Sequence, residues 1–388
     1  MTAGPLGWIS PALDELEAAG LRRVPRHRAT PAGPKADGLV NLSSNDYLGL
    51  AGDPMVVEAA REAAARWGAG SGASRLVTGG TAVHRELEGE IARWKRAEDA
   101  VLFSSGYLAN VGTVPALVGP GDLVCSDALN HASIVDACRL SRAEVRVYPH
   151  RDLEALDRLL GASTARRRLI VTDGVFSMDG DAADLPAMCD VAESHGAMVM
   201  ADDAHGCGVL GPDGRGTAAL HGCEDRVHVR VGTLSKAFGA AGGYVAGPAD
   251  LCDWLRNRAR AFAFDTAPVP AAVGAALKAI AIASAQPWRR AHALALARRL
   301  ARGLGVPEPA ACIVPLVLGD PRSALSASAA LAEAGLLVVA IRPPSVPPGT
   351  ARLRFTVTAA HTDAEIDRAV SCVEDPRGIP RGSSTQTP

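Results

Sequence analysis

Neither sign of charge predominates in this sequence. Its 388 residues carry 40 Lys+Arg against 42 Asp+Glu, a formal charge of −2, and that balance argues against a general binder of nucleic-acid phosphates. Long apolar runs are missing as well. None approaches the roughly 18 residues of a spanning helix, so no membrane partner is expected. The opening stretch, MTAGPLGWISPALDELEAAG, has no basic segment followed by an apolar one, so no secretory signal is expected and a cytoplasmic location is. The cysteines Cys125, Cys138, Cys189, Cys207, Cys223, Cys252, Cys312 and Cys372 include no C-x-x-C pair, and no histidine cluster completes a zinc spacing. They read as small buried hydrophobes in a reducing compartment, with neither a metal site nor a disulfide framework. No repeat period is visible.

What remains is ordinary globular usage: 48% apolar and 21% charged residues, which excludes wholesale disorder. Short β-branched runs at 100–103, 123–126, 144–148, 168–172, 197–201, 227–231 and 243–246 read as strands. Amphipathic stretches such as 133–140, 152–160 and 185–195 lie between several of them. That alternation predicts an α/β chain with a mainly parallel sheet covered on both faces, and places function in the loops at the strands' carboxyl ends. The N-terminal flank carries a helix over 11–21 and then a Pro/Arg/Gly-rich passage. From residue 291 the pattern runs helix (291–304), strand (312–318), helix (323–334), strand (336–341), strand (351–356) and helix (362–374), a small α+β unit. The expected division is an N-terminal segment 1–45, a large domain 46–285, a small C-terminal domain 286–375 and a polar, disordered tail 376–388.

Four loops hold most of the unusual residues. Phe103-Ser104-Ser105-Gly106-Tyr107 follows a strand and opens a helix, where exposed backbone N–H groups favour a phosphate. Asp202 and Asp203 end an apolar strand just before His205, and burying them requires a cationic or protonated partner. Lys236, in Gly232-Thr233-Leu234-Ser235-Lys236, sits among hydroxyls and apolar residues, a setting in which a desolvated amine can form a Schiff base with an aldehyde. His131 follows another strand, placed to cap a helix or to stack on a planar ring. Each has a plainer reading when taken alone: a Ser/Gly-rich turn, a solvated acidic turn, a salt-bridged lysine, a helix cap. Together they match what pyridoxal phosphate requires, namely a lysine for its aldehyde, an aspartate for its ring nitrogen, a helix start for its phosphate and a stacking partner for its ring.

At this point the motifs themselves carry a resemblance. SSNDYLGL (43–50), GSGASRLVTG (70–79), GVFSMDG (174–180), DDAHG (202–206), TLSKAFG (233–239) and IRPPSVPPGTARLRFT (341–356) occur in the order and spacing of the α-oxoamine synthases. The chain thus resembles these fold-type I pyridoxal-phosphate enzymes from about residue 10 to about 375. The resemblance implies that Lys236 forms the covalent link to the cofactor, Asp202 faces its ring nitrogen, His205 lies near its ring oxygen and His131 stacks on its ring. It implies cofactor contacts at Gly106, Tyr107, Ser177 and Thr233, and substrate contacts at Arg22 or its neighbour Arg23, Asn45, Ser74, His131, Arg342, Ser345 and Arg354. Thr266 falls where relatives reach the phosphate of the neighbouring subunit, implying a homodimer. Ser74 stands where glycine-specific relatives carry threonine, implying room for alanine. The implied reaction joins L-alanine to a pimeloyl thioester, on coenzyme A or an acyl-carrier protein; a sister reaction using glycine or serine and another acyl group shares the same catalytic residues. Two departures are visible: Asp173 replaces a common glutamate, and Cys207 replaces a common hydroxyl residue. Neither supplies the core chemistry.

Overall fold

The computed structural model describes residues 4–374; the tail expected over 376–388 lies outside them. Its strands are β1 Lys35–Ala36, β2 Leu39–Asn41, β3 Asp99–Phe103, β4 Leu123–Asp127, β5 Glu144–Tyr148, β6 Arg168–Asp173, β7 Met198–Asp202, β8 Val229–Thr233, β9 Gly243–Gly247, β10 Ile313–Gly319, β11 Leu336–Leu337, β12 Val339–Ile341 and β13 Ala351–Thr356. Seven of these form the central sheet in the order β3-β9-β8-β7-β6-β4-β5. β4, β5, β6, β7 and β8 run parallel to one another. Only β9 opposes its neighbours β3 and β8. The strands are continuous apolar runs because helices cover both faces, and β3, β4, β8 and β9 are buried at every position. Edge strand β5 is the exception, with Val145 and Val147 exposed.

The five helices that open the chain are α1 Ile9–Ala18, α2 Pro54–Trp67, α3 Ala82–Trp94, α4 Gly106–Leu117 and α5 Ala132–Ser141. Two of them start at the carboxyl edge of the sheet, and their caps are set by sequence. Ser105 accepts from Leu108 N–H to begin α4, and His131 accepts from Ser133 N–H to begin α5. Such caps satisfy donors that a helix start otherwise leaves without partners.

Beyond the central sheet, β10, β13 and β12 form an antiparallel sheet, while β1, β2 and β11 form a third. The latter ties the N-terminal segment to the C-terminal part of the chain, through Val40 and Asn41 paired in parallel with Leu336 and Leu337. The single strand expected over 336–341 is therefore two. The chain leaves one sheet after Leu337 and enters the other at Val339, and Ser43 stitches the break, its Oγ accepting from Val339 N–H and donating to Leu337 C=O. The run LLVVAI is apolar throughout, so nothing in its pattern marks the switch. Leu42, Tyr47, Leu353 and Phe355 are fully buried in one core cluster, which fixes the segment carrying Asn45 against the strand carrying Arg354.

Candidate active site

Five strands of the central sheet each deliver a residue to one place. Ser105 and Gly106 follow β3, His131 follows β4, Asp173 ends β6 with Ser177 beyond it, Asp202 ends β7 with His205 beyond it, and Thr233 ends β8 with Lys236 beyond it. All of them line one cavity of about 250 Å³, together with Tyr107, Ser133, Ala204 and Ser235. This is the carboxyl edge of the sheet, where open α/β folds bind ligands.

Within the cavity Lys236 Nζ lies 2.9 Å from His205 Nε2, and His205 Nδ1 lies 2.6 Å from the Tyr47 hydroxyl. Tyr47 donates to Asn45 Oδ1 at 3.1 Å, and Arg354 Nη1 donates to the same oxygen at 3.2 Å. Since the Tyr47 proton is spent on Asn45, the assignment of the imidazole follows: Nδ1–H donates to Tyr47 and Nε2 accepts from Lys236. Burial, with the Lys236 and Arg354 charges nearby, pushes the His205 pKa well below its ordinary value, in keeping with a neutral ring. Burial also lowers the Lys236 pKa, opposed by Asp202 and Asp173. Such a lysine gives up its proton more readily than a surface one.

The two adjacent carboxylates part company because neighbouring strand residues point to opposite faces. Asp202 turns to the cavity, accepting from Asn110 Nδ2 at 2.6 Å and from Ala204 N–H at 3.0 Å. Asp203 turns away, accepting from Thr217 Oγ1 at 2.5 Å and facing Lys95 at 3.9 Å. Asp173 is buried and accepts from the His131 backbone N–H at 2.8 Å; burial, with the Asp202 charge beside it, raises its pKa well above the carboxylate range.

This cavity fits pyridoxal phosphate. The first turn of α4, Thr233 and Ser235 offer N–H and hydroxyl donors on one wall. The wall is close at position 106, where a Cβ would lie 3.3 Å from the Thr233 Cβ. Asp202 would meet a ring nitrogen and Lys236 an aldehyde. Tyr107 is half-exposed, its hydroxyl donating to Asp136 at 2.6 Å.

The remaining expected residues fall into three groups. Arg354 Nε donates to the Ser177 carbonyl at 2.5 Å, so Asn45 and Arg354 close one side of the site. Arg23, rather than Arg22, sends its guanidinium to Ser345 Oγ at 3.0 Å, while Arg22 faces Glu17 at 3.5 Å. Arg342 donates to the carbonyls of Gly20 and Arg22. Ser74 and Thr266 are bridged to each other, and neither lines the Lys236 cavity. Asn110 and Tyr47 were not anticipated. A lone Asn inside the apolar helix GYLANVGTVPAL is a local signal for the first, and Tyr47 lies within SSNDYLGL.

A family model described as aminotransferase class I and II matches residues 37–373. A relative named 8-amino-7-oxononanoate synthase, from Anaeromyxobacter dehalogenans (strain 2CP-1), is 52% identical over 376 residues, covering 95% of this chain and 94% of its own. One of the same name from Herminiimonas arsenicoxydans is 47% identical, covering 94% and 98%. Among solved structures, a serine palmitoyltransferase variant from S. paucimobilis, with PLP and myriocin bound, superposes with a TM-score of 0.90 at 32% identity, covering 96% of this chain and 97% of its own. Similarity of this extent, in sequence and in shape, leaves one conclusion: the chain belongs to the class I and II aminotransferase family and is a pyridoxal-phosphate-dependent enzyme of the fold-type I architecture.

Proposed function

We propose that the enzyme condenses L-alanine with a pimeloyl thioester, on coenzyme A or an acyl-carrier protein, giving 8-amino-7-oxononanoate for biotin synthesis, carbon dioxide and the free thiol carrier. The observation that supports it most is the Lys236–His205 contact of 2.9 Å in the cavity lined by Asp202, in a chain 52% identical to a relative named for that product.

Bound pyridoxal phosphate supplies an aldehyde that captures amines and a ring that accepts electrons from the amino acid's α-carbon. The protein's part is binding and proton handling. Asp202, oriented by Asn110 and the Ala204 N–H, keeps a proton on the ring nitrogen, which strengthens the electron sink. Lys236, its basicity lowered by burial, takes the α-proton of alanine at Nζ and later returns one. Arg354 and Asn45 hold the alanine carboxylate until it leaves as carbon dioxide. His131, fixed by its backbone to Asp173, covers the ring. Arg23 with Ser345 and Arg342 faces the acyl substrate, Arg22 contributing its carbonyl to Arg342.

The reading includes a homodimer, in which Thr266 reaches the partner's cofactor phosphate and Ser74 travels with it. Two features support it: the bridge between Ser74 and Thr266 outside their own chain's cavity, and the exposed Leu76, Val77, Leu140 and Phe264, an apolar surface of the kind that marks protein contacts. We also propose that the chain divides near residues 45 and 285 as its sequence pattern suggests. The likeness to serine palmitoyltransferase favours a second reading, with serine and a longer acyl chain. A product assay crossing alanine, glycine and serine with several acyl thioesters separates the two. Product from alanine and a pimeloyl thioester is expected, and product from serine alone sinks the first reading.

A further inference from the structure

A second cavity, of about 760 Å³, adjoins the first, and His131 and Ser177 line both. One wall is a single face of α5. His131, Val135 and Arg139 are spaced by four residues, so they lie one above another, and Arg139 stands about 12 Å along the axis from His131 at 1.5 Å per residue. The facing wall is the Pro343–Pro348 loop. Its four prolines have no N–H, and the Pro347 carbonyl already accepts from Thr350. Leu129, Val135, Met178 and Val346 supply aliphatic surface between.

Arg139 is the one arginine or lysine among the described residues lining this cavity. Its nearest carboxylate, Asp136, is 3.5 Å away and already accepts from Tyr107 at 2.6 Å. The other acid of the wall, Asp179, is paired with Arg352 at 2.6 Å. Both carboxylates thus have other partners, while the Arg139 guanidinium is loosely held and largely solvent-facing at the far end.

We propose that this cavity is the channel for a phosphopantetheine arm and that Arg139 takes the phosphate at the end of that arm. The inference rests on the reading that the acyl donor is a thioester carried on such an arm. The arm has a gem-dimethyl group for the aliphatic patch and a phosphate for Arg139. From sulfur to phosphorus it is as long as about four extended residues, roughly 15 Å, close to the His131–Arg139 separation plus the reach of the arginine. The same phosphate terminates the arm of coenzyme A and that of a carrier protein. Arg139 is accordingly a binding residue for the phosphate that both carriers share and has no part in the chemistry.

The test is equilibrium binding to the holoenzyme of 4′-phosphopantetheine, coenzyme A and pantetheine, which is the same arm without phosphate. Arg139→Ala should weaken the first two by about three- to tenfold, as expected for a partly exposed charged pair with a dianion, and leave pantetheine within twofold. Arg139→Lys should retain part of the preference, and cofactor absorbance at wild-type stoichiometry shows that each variant is folded and loaded. Equal affinities in wild type and Arg139→Ala overturn the proposal, as does an equal loss with pantetheine. A loss confined to coenzyme A moves the contact to the adenosine phosphates and overturns the assignment to the arm. A wild type that binds none of the three overturns it as well. None of these probes carries an acyl group or an amino acid, so failure of the alanine–pimeloyl reading shows in the product assay and not here.

Discussion

The carboxyl edge of the central sheet and the surface around Ser74 and Thr266 were both expected to serve one active site, yet they differ in kind. At the sheet edge, Lys236, His205, Tyr47, Asn45 and Arg354 form an unbroken line of contacts from 2.6 to 3.2 Å, all within one chain. Around Ser74 and Thr266 the backbone is bridged locally, Ser104 donates to the Thr266 carbonyl, and Leu76, Val77 and Phe264 stand exposed. The first region is complete as it stands. The second has the composition of a surface awaiting a partner. The difference teaches that the groups proposed to move protons and hold the amino acid can be assembled within one chain, whereas the proposed contributions of Thr266 to the phosphate and of Ser74 to the choice of amino acid require a second copy.

The largest effect belongs to the first region. Lys236→Ala should lower turnover by the upper end of the roughly 10²–10⁴-fold that a positioned acid–base group contributes, with the fold retained. Borohydride trapping followed by peptide mapping checks the anchor: a cofactor adduct at wild-type stoichiometry on a different lysine would remove Lys236 from its place. The adjacent carboxylates then sharpen the comparison within that region. Asp202→Asn replaces a charge-assisted partner, worth about 1.5–3 kcal/mol, or roughly 10- to 150-fold in rate, and should spare cofactor binding. Asp203→Asn leaves buried Lys95 without its carboxylate and should cost about 3 kcal/mol of stability, read by denaturant midpoint, while alanine α-proton exchange persists. Exchange at the wild-type rate in Asp202→Asn would contradict the division of labour between the two.

That division shows how far the sequence was legible. The strand runs and the residues at their ends could be read because apolar periodicity and polar interruption are local signals. Which of two neighbouring aspartates faces the ligand followed from strand alternation only once the strand's orientation was known. Asn110 escaped because its partner, Asp202, is distant in sequence. The break at Val338 escaped because it involves Ser43, in the turn after β2 and distant in sequence. Arg22 and Arg23 are equivalent as letters, and only the approach of the Ser345 loop separates them. The bridge between Ser74 and Thr266 is likewise a product of tertiary structure, and in the sequence their proposed role across a subunit boundary rests on resemblance alone.

The second region can be tested through complementation. A Lys236→Ala subunit mixed with a Thr266→Glu subunit, which sets a carboxylate against a phosphate, should recover part of the activity in hybrid dimers, since one site of each hybrid carries neither lesion. An active monomer in sedimentation would end the proposal. Ser74→Thr should shift the kcat/KM ratio from alanine towards glycine by about tenfold, the low end of methyl-sized discrimination. An unchanged ratio would leave Ser74 as the residue whose carbonyl accepts from Val77 and Gly79 and nothing more.

A last effect is one of stability alone, and it concerns the support behind the first region. His150 lies between two carboxylates, Asp127 at 3.0 Å and Asp181 at 2.9 Å, with its ring edge-on to Phe176, the residue before Ser177. Burial alone would lower the His150 pKa, but the hydrogen bonds and charges of Asp127 and Asp181 outweigh it and raise the value to about 9. An unfolded histidine titrates near about 6.5. The folded value is the higher one, so the stabilisation is fully present below pH 6.5 and is lost as pH rises through about 9. His150→Gln should therefore lower stability by about 2 kcal/mol at pH 6, once the linkage is discounted for partial exposure, and the gap to wild type should close by pH 9.5. Denaturant midpoints of both proteins across that range provide the measurement. A gap that stays constant would mean that the imidazole acts by shape against Phe176, with no contribution from its charge.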